Sequence, residues 1–186
     1  RKAQKVMKRS LRECFPKFGI IAEERGGSVP CRWTGFPKFY WTVDPLDGTK
    51  AFTRMQSHGF GPMLALLFDD GSGVLRVIAV CIGDANTGEM FYFRPDSENV
   101  HRIVNRRQTK LLAIDPKRKL RQQYVLLRDG VLEYPEDLQP MLQPQRRGGL
   151  FSGQEASGGS IGLGFSRLWK GEVGAMVLLA GNDTPW

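Results

Sequence analysis

The hexapeptide Asp-Pro-Leu-Asp-Gly-Thr at residues 44–49 constrains the fold of this chain more than any other feature. The preceding residues 40–43, Tyr-Trp-Thr-Val, are aromatic and β-branched and therefore predict a strand. Side chains alternate along a strand, so a regular continuation would send Asp44 and Asp47 to opposite faces. Pro45 has no N–H group and a fixed φ, which disfavours continuation as a central strand. We therefore expect the chain to turn at 44–47 and to bring the two carboxylates together.

The chemistry of this turn predicts a divalent cation beside a phosphate. Oxygen ligands from Asp44, Asp47 and the Leu46 carbonyl suit Mg²⁺ or Mn²⁺ better than zinc. Gly48 and Thr49 begin a predicted short helix, whose free N–H groups and positive dipole end would hold phosphate oxygens. An Asx turn followed by a helix N-cap uses the same residue types and is the structural alternative. Because one carboxylate suffices for a cap, the pair favours a functional site.

An acidic pair, Glu23-Glu24, precedes the hexapeptide by about twenty residues and follows the predicted apolar strand 19–22. Adjacent carboxylates at a strand end repel each other unless one of them meets a cation. Glu-Glu pairs are also common on ordinary surfaces, so the pair alone is weak. Beside residues 44–49, however, it predicts a third metal ligand.

The remaining pattern predicts an α/β chain with one domain over residues 1–186. The first helix is predicted to end near Phe15, ahead of Pro16. Further predicted elements are a helix at about 48–55, strands at 62–68, 74–81 and 89–93, a hairpin within 100–113, a strand at 124–127, a helix at 135–142, a helix from Ser160 to about 169 and a strand at 174–179. The glycine-rich segment 148–159 is predicted to be a mobile loop.

Composition restricts the class of partner. The net charge is +8 and the pI is near 9.7, which favours an anionic partner, either a phosphate ester or a nucleic acid. The first helix has a basic face, formed by Lys2, Lys5, Arg9 and Arg12, opposite an apolar stripe formed by Ala3, Met7, Leu11 and Cys14. No aromatic residues interleave with these charges, so a solvated surface is favoured over a nucleic-acid stripe.

The same composition argues against a membrane partner. No run approaches the ~20 apolar residues of a membrane span, and the basic N-terminal segment does not resemble a signal peptide. Cys14, Cys31 and Cys81 are odd in number and lack metal-ligand spacing, which favours free thiols in a reducing compartment. We therefore expect a cytoplasmic protein.

The order of these motifs resembles one enzyme family. Ala22-Glu23-Glu24 is followed by Trp-Thr-Val-Asp-Pro-Leu-Asp-Gly-Thr-Lys-Ala-Phe at 41–52, which is similar to the inositol monophosphatase superfamily. The resemblance implies a Mg²⁺-dependent, lithium-sensitive phosphomonoesterase with a layered αβαβα fold of the inositol monophosphatase and fructose-1,6-bisphosphatase type. It also implies two or three Mg²⁺ ions, with Mn²⁺ as an alternative, a small phosphorylated metabolite as substrate, and a homodimer as an open alternative.

The resemblance assigns roles to individual residues. The implied metal ligands are Glu23, Asp44, the Leu46 carbonyl and Asp47; the implied phosphate contacts are Gly48 and Thr49; the implied catalytic residues are Glu23, Asp47 and Thr49. Glu24 is implied to play a secondary, orienting part. Basic residues within 84–110 are open to two interpretations, contact with a second anionic group or an ordinary solvated surface.

Two departures from the family pattern shape the expected function. An aspartate of the family's second metal motif would come directly after Trp186, and another acid, preceded by a first helix, would come directly before Arg1. The sequence therefore predicts a phosphatase domain truncated at both ends. Ala180 stands where inositol-specific members carry a glutamate, whereas Lys50-Ala51-Phe52 is closer to the histidinol-phosphatase and bisphosphate-nucleotidase branches.

The predicted function is Mg²⁺-dependent hydrolysis of a small phosphate monoester by a metal-activated water. The substrate class is left open among sugar, polyol, histidinol and nucleotide phosphates. The alternative is a catalytically incompetent member, or a fragment, that binds nucleic acid or protein through its basic surface. Nucleic acid is the less favoured partner in this prediction.

Overall fold

A computed structural model describes residues 2–24, 27–110 and 117–179 of the chain. The α-helices are α1 Lys2–Cys14, α2 Thr49–Thr53, α3 Gln139–Leu142 and α4 Ile161–Trp169. The strands are β1 Gly19–Ala22, β2 Lys38–Asp47, β3 Gly61–Asp69, β4 Leu75–Gly83, β5 Met90–Phe93, β6 His101–Val104, β7 Arg107–Lys110, β8 Tyr124–Leu127, β9 Gly153–Ala156 and β10 Ala175–Val177. Short 3₁₀ turns cover Leu120–Gln122, Val131–Glu133 and Gln145–Arg147.

These elements form two compact units, each with its own sheet. The first unit contains the described residues up to Asp47 together with Phe60–Lys110. Its seven-stranded sheet has the order β1 to β7, in which β1 and β2 are parallel and every other pair is antiparallel. The second unit contains Gly48–Gly59 and the described residues from 117 onward, and has a parallel sheet with the order β10-β8-β9.

The core of the first unit lies between α1 and the sheet. Leu11 of α1 is buried with Ile20 of β1 and Val43 of β2. Burial of such side chains contributes roughly 1.5–3 kcal/mol each relative to their exposure. Val43 is buried in this core, and Asp44 follows it directly along β2. Packing of Val43 therefore fixes the position of Asp44 on the sheet.

The core of the second unit surrounds β8, whose Val125 and Leu127 are fully buried. Tyr134 lies in this core, where its hydroxyl donates a hydrogen bond to the Val177 carbonyl at 2.8 Å and accepts one from the Arg128 N–H at 3.1 Å. The hydroxyl thus ties β10 to the residue that follows β8. Burial of an aromatic ring with a satisfied hydroxyl is a favourable use of tyrosine.

Several sequence predictions are confirmed and others are wrong in their bounds. The first helix, the strands β1 and β8, the meander through β5 and the Ser160-capped α4 form as predicted. The helix predicted from about 48 to 55 covers only Thr49–Thr53, and the one predicted from 135 begins at Gln139. The segment predicted as a mobile loop contains β9, because its residues pair with β8. The single-domain interpretation of residues 1–186 stays a prediction.

The structure describes no helix, among the residues it covers, that is long and apolar enough to cross a membrane.

Candidate metal site

A bulge in β2 places the two carboxylates of the hexapeptide on one face of the sheet. The strand continues through Pro45 to Asp47, so the predicted turn is wrong. The register is irregular between Asp44, which lies opposite Met63, and Asp47, which lies opposite Gly61. Three steps along β2 therefore match two steps along β3, and the extra residue restores both carboxylates to the same side. Pro45 is tolerated because a bulge leaves one residue out of the ladder.

The acidic pair reaches the same edge of the sheet through the parallel pairing of β1 and β2. Ala22 pairs with Val43, and the Glu23 N–H donates a hydrogen bond to the Val43 carbonyl at 3.1 Å. The Glu23 side chain forms a hydrogen bond with the Asp44 carboxyl group. The structure therefore brings two of the predicted metal ligands into contact. Glu24 is exposed, and its carbonyl accepts a hydrogen bond from the Gly27 N–H at 3.1 Å.

The pKa of the Asp44 carboxyl group is raised at this position. Burial, the largest cause, raises its pKa from 3.8 to about 7, and the neighbouring Glu23 and Asp47 carboxylates act in the same direction. The Leu46 N–H donates a hydrogen bond to Asp44 Oδ1 at 2.8 Å and opposes this rise in pKa. Without a cation, Asp44 therefore holds a proton for part of the time near neutral pH, since burial and the neighbouring carboxylates both disfavour its ionised form.

The donor set fits a hard divalent cation. Three carboxylates from Glu23, Asp44 and Asp47 interact at one edge of the sheet, and carboxylate oxygens are the ligands that Mg²⁺ and Mn²⁺ prefer. A cation among them would offset the repulsion that raises the pKa of Asp44. Within residues 2–24, 27–110 and 117–179, no group of three or more His, Cys, Asp or Glu side chains is arranged to hold a metal ion. Coordination of one ion by all three carboxylates therefore requires an adjustment of their side chains.

Gly48 and Thr49 follow Asp47 directly in the sequence and begin the second compact unit. Gly48 has φ 85° and ψ 34°, a left-handed conformation that favours glycine. Its carbonyl accepts a hydrogen bond from the Phe52 N–H at 3.1 Å, which closes the first turn of the five-residue α2. The roles of Gly48 and Thr49 as phosphate contacts, and of the Leu46 carbonyl as a ligand, stay predictions.

Two residues that the sequence predictions missed, Gln4 and Gly27, lie against each other near the end of β1. Gln4 lies on the inner face of α1 with only 8% of its surface exposed, while Ala3 and Cys14, assigned to the apolar stripe, are exposed. A Cβ on Gly27 would overlap Gln4 Nε2 and lie 2.6 Å from Ala22 Cβ. The signal in the sequence was a glutamine three residues before Met7 and seven before Leu11, which is the spacing of a buried helix face.

Two of the basic residues of segment 84–110 have carboxylate partners. Arg102 is paired with Glu89, and Arg94 with Asp96 at 3.1 Å. His101 lies between hydrogen-bonding neighbours and stacks on Tyr92, with ring centroids 5.0 Å apart. These contacts favour the interpretation of this segment as a structured surface over a second anion site.

Comparison with known proteins finds a family match for the first 92 residues of the chain. Residues 1–92 match the inositol monophosphatase family. A 56-residue stretch of this chain is 36% identical to part of the Nus factor SuhB of Xylella fastidiosa. The aligned stretch covers 30% of this chain and 18% of that protein.

Solved structures match a larger part of the chain. The extragenic suppressor protein suhB from Bartonella henselae is 21% identical with a TM-score of 0.65, over 92% of this chain and 59% of that chain. An IMPase of Thermotoga maritima is 18% identical with a TM-score of 0.65, over 97% and 61% of the two chains. An IMPase/NADP phosphatase complexed with Mg²⁺ and phosphate is 17% identical with a TM-score of 0.60, over 95% and 59%.

The match of residues 1–92 supports the inositol monophosphatase superfamily as the family of this chain. The structural matches confirm the predicted α/β fold of that family. The chain spans about three fifths of the length of these solved chains. The predicted branch within the superfamily stays a prediction, and Ala180, on which part of it rests, lies outside the described residues.

Proposed function

We propose that this protein hydrolyses a small phosphate monoester with the help of bound Mg²⁺. The observation that carries the proposal is the carboxylate cluster of Glu23, Asp44 and Asp47, held where β1 and the bulged β2 end side by side. Burial raises the pKa of Asp44 to about 7, and the neighbouring Glu23 and Asp47 carboxylates act in the same direction, so the ionised cluster is costly unless a cation neutralises it. The family match supports the same proposal, as do similar proteins described as complexed with Mg²⁺ and phosphate.

Each residue has a proposed role in the reaction. Glu23, Asp44 and Asp47 would hold the divalent cation with the Leu46 carbonyl, and Glu24 would help to orient Glu23. When bound, the cation supplies polarisation of a water molecule and of the phosphoryl oxygens. The catalytic roles of Glu23 and Asp47 follow from this position.

The residues after Asp47 have a different proposed task. The N–H groups of Gly48 and Thr49 would donate hydrogen bonds to phosphate oxygens, and the Thr49 hydroxyl would orient the attacking water. Gly48 suits such a contact because it has no side chain to obstruct the phosphate. Attack in line with the leaving alkoxide would need no covalent intermediate on the protein.

The proposed substrate is a sugar, polyol, histidinol or nucleotide phosphate. One similar protein has been crystallised with NADP and Ca²⁺, and one with D-inositol-1-phosphate. NADP and D-inositol-1-phosphate are small phosphate esters of the proposed substrate class. A homodimer and two or three Mg²⁺ ions, or Mn²⁺ in their place, are proposed from the family resemblance.

The test is release of inorganic phosphate from a panel of these esters, with Mg²⁺ titrated from zero in the presence of EDTA. We expect metal-dependent release, and we expect Asp44→Asn to reduce it at least 100-fold, because removal of a ligand from such a site disables it. Asp137→Asn is the matched control, since it removes a carboxylate from an exposed position of the second unit. Phosphate release that is independent of added metal, or that is the same in Asp44→Asn, would contradict the proposal.

A further inference from the structure

The exposed face of α1 is a row of cations without an assigned role. Lys2, Lys5, Arg9 and Arg12 are all exposed along this 13-residue helix. Arg9 lies 3.9 Å from Glu13, and both side chains are about 70% exposed, so this pair removes little of the positive potential. The sequence alone favoured a solvated surface, because no aromatic residue interleaves with these charges along the helix.

The fold places aromatic residues where this row ends. The chain leaves α1 at Cys14, and the next strand, β1, is parallel to β2, with Gly19 opposite Tyr40. The start of β2 lies opposite the end of β3, with Lys38 opposite Asp69. The end of α1, the start of β2 and the β3–β4 turn therefore share one end of the sheet. Asp44 lies toward the other end.

We define the aromatic–cationic rim as the residues at this end of the sheet whose rings and cations contact one another. Its members are Phe15, Lys17, Phe18, Trp33, Phe36, Lys38, Phe39, Phe68 and Arg76. All of them belong to the first compact unit.

Two lysines of the rim lie over aromatic rings that are open to solvent. Lys17 Nζ is 5.1 Å from the centroid of the Trp33 ring, and Lys38 Nζ is 4.9 Å from that of Phe36. Trp33 is 42% exposed and Phe36 is 57% exposed. Neither lysine forms an ion pair with a carboxylate within the described part of the chain. The cation of each pair therefore remains available to an external anion.

A stack of rings fixes the rim against the sheet. Phe18 lies between Phe15 and Phe39, at centroid distances of 5.3 Å and 4.9 Å, and Phe39 contacts Phe68 at 5.6 Å. Arg76 lies over Phe68 at 4.9 Å and also pairs with Asp70 at 2.8 Å, so its charge is partly compensated. These four rings are thus held in place before any ligand arrives, and they form a fixed base for the rim.

The turn at the tip of the β3–β4 hairpin holds the most exposed of these rings. A Cβ on Gly71 would lie 3.0 Å from the ring of Phe36, so the glycine permits close contact between the turn and the ring. One side of Phe36 is therefore packed while more than half of its surface faces solvent.

We propose that α1 and the aromatic–cationic rim bind single-stranded nucleic acid. The cations of α1, with Lys17 and Lys38, would contact successive phosphates, and Trp33 and Phe36 would stack with unpaired bases. Alternation of cations with exposed rings is the pattern of non-sequence-specific single-strand binding. A duplex keeps its bases stacked on each other, and an acidic peptide offers no comparable planar groups, so both would use only the charges.

The test measures fluorescence anisotropy of a labelled twelve-nucleotide oligo(dT) and oligo(U) with the whole chain, in EDTA. The EDTA makes the result independent of the proposed phosphatase function. We expect binding that weakens with salt, because phosphate contacts release counterions. A duplex of the same length and poly-glutamate serve as competitors, and we expect both to bind at least about tenfold more weakly than the single strand.

Matched variants separate stacking from charge. Trp33→Ala should weaken binding about tenfold and Trp33→Phe should restore most of it, because the ring rather than the indole N–H carries the contact. Lys17→Gln should reduce the salt slope by about 0.7, the value for one phosphate of a single strand. The controls are Leu132→Ala, at a residue 83% exposed in the second unit, and Arg94→Gln, at an arginine already paired with Asp96.

Three outcomes would overturn the proposal. The first is no binding of either oligonucleotide at low salt. The second is equal binding of poly-glutamate and the single strand, which would indicate a surface for acidic protein segments. The third is a Trp33→Ala variant with unchanged thermal unfolding that binds as well as Leu132→Ala.

Discussion

Replacement of Asp44 by asparagine should stabilise the metal-free protein. The folded state raises the pKa of Asp44 from 3.8 to about 7, mainly through burial. The folded form therefore binds this proton more tightly than the unfolded chain, so the contribution of Asp44 to stability is most favourable below pH 3.8. As the pH rises, this contribution falls until the folded-state pKa of about 7 has been passed. Asparagine has the shape of protonated Asp44, keeps an oxygen for the Leu46 N–H and carries no charge.

The magnitude follows from the shift in pKa. A rise from 3.8 to about 7 would correspond to about 4 kcal/mol at 1.36 kcal/mol per pKa unit. Asp44 is only partly buried, so solvent screening reduces this to about 1–2 kcal/mol above pH 7. At pH 4 the difference should be below about 0.5 kcal/mol, since the carboxyl group is then mostly protonated in the folded state.

The assay is urea unfolding of both proteins in EDTA at pH 4 and pH 8. Asp137→Asn serves as the control and should change stability by no more than about 0.5 kcal/mol, as is usual for exposed positions. If Asp44→Asn lowers the free energy of unfolding equally at both pH values, the carboxylate is not under the electrostatic strain inferred from the structure.

Three further predictions concern the surroundings of the site and the second unit. Gly27→Ala should destabilise the protein by about 1–3 kcal/mol through overlap with Gln4 and Ala22, whereas Gly130→Ala, where a Cβ meets nothing within 4 Å, should be nearly neutral in the same urea assay. Ser160→Ala should lower the free energy of unfolding by about 1 kcal/mol, because the Ser160 hydroxyl accepts a hydrogen bond from the Leu163 N–H at 3.0 Å and caps α4. An unchanged unfolding midpoint would contradict this prediction. Ser160→Asp should restore the cap. Burial raises the pKa of the Cys81 thiol, whereas Cys14 is exposed. Mass spectrometry after thiol labelling at pH 8 should therefore find Cys14 modified at least tenfold faster than Cys81. Equal labelling rates would contradict the burial of Cys81.

The elements that depend on local pattern were predictable from the sequence. The basic and apolar stripes of α1 and the apolar run of β8 specify their structures with little help from the rest of the chain. Ser160 signalled the start of α4 because a serine before an apolar helical pattern is a strong N-cap.

The bulge in β2 could not be predicted, because it depends on pairing with β3. Pro45 alone argued for a turn, whereas β3 supplies Gly61 and Pro62 beside the bulged residues. A Cβ on Gly61 would overlap the Gly83 carbonyl, so β3 and β4 approach each other closely at this point. The register nevertheless places Asp44 and Asp47 on one face of the sheet, by a backbone path that differs from the predicted turn.

The strand β9 was missed for a similar reason. Its glycine-rich sequence predicted a mobile loop, but Gly153 is required for close packing, since a Cβ there would lie 3.1 Å or less from the Tyr124 ring. The strand forms because it pairs in parallel with β8. Glycine in this segment thus serves contact between strands, which a single sequence does not distinguish from flexibility.

The candidate carboxylate ligands could be proposed from the sequence because their chemistry is concentrated in short motifs. Glu23, Asp44 and Asp47 come together through the parallel pairing of β1 and β2 and the bulge. Gln4 and Gly27 were missed because their importance comes from packing between α1 and the loop after β1, which no motif encodes.

Titration calorimetry of the chain with Mn²⁺ at pH 7.5 tests the central claim, that Glu23, Asp44 and Asp47 form a divalent-cation site. The wild-type chain should bind at least one Mn²⁺, with an affinity that rises from pH 6 to pH 8, because the proton on Asp44 competes with the cation. Asp44→Asn should bind at least tenfold more weakly, while Asp137→Asn should match the wild type. Equal Mn²⁺ affinity in the wild type and Asp44→Asn, or no binding by either, would contradict the account.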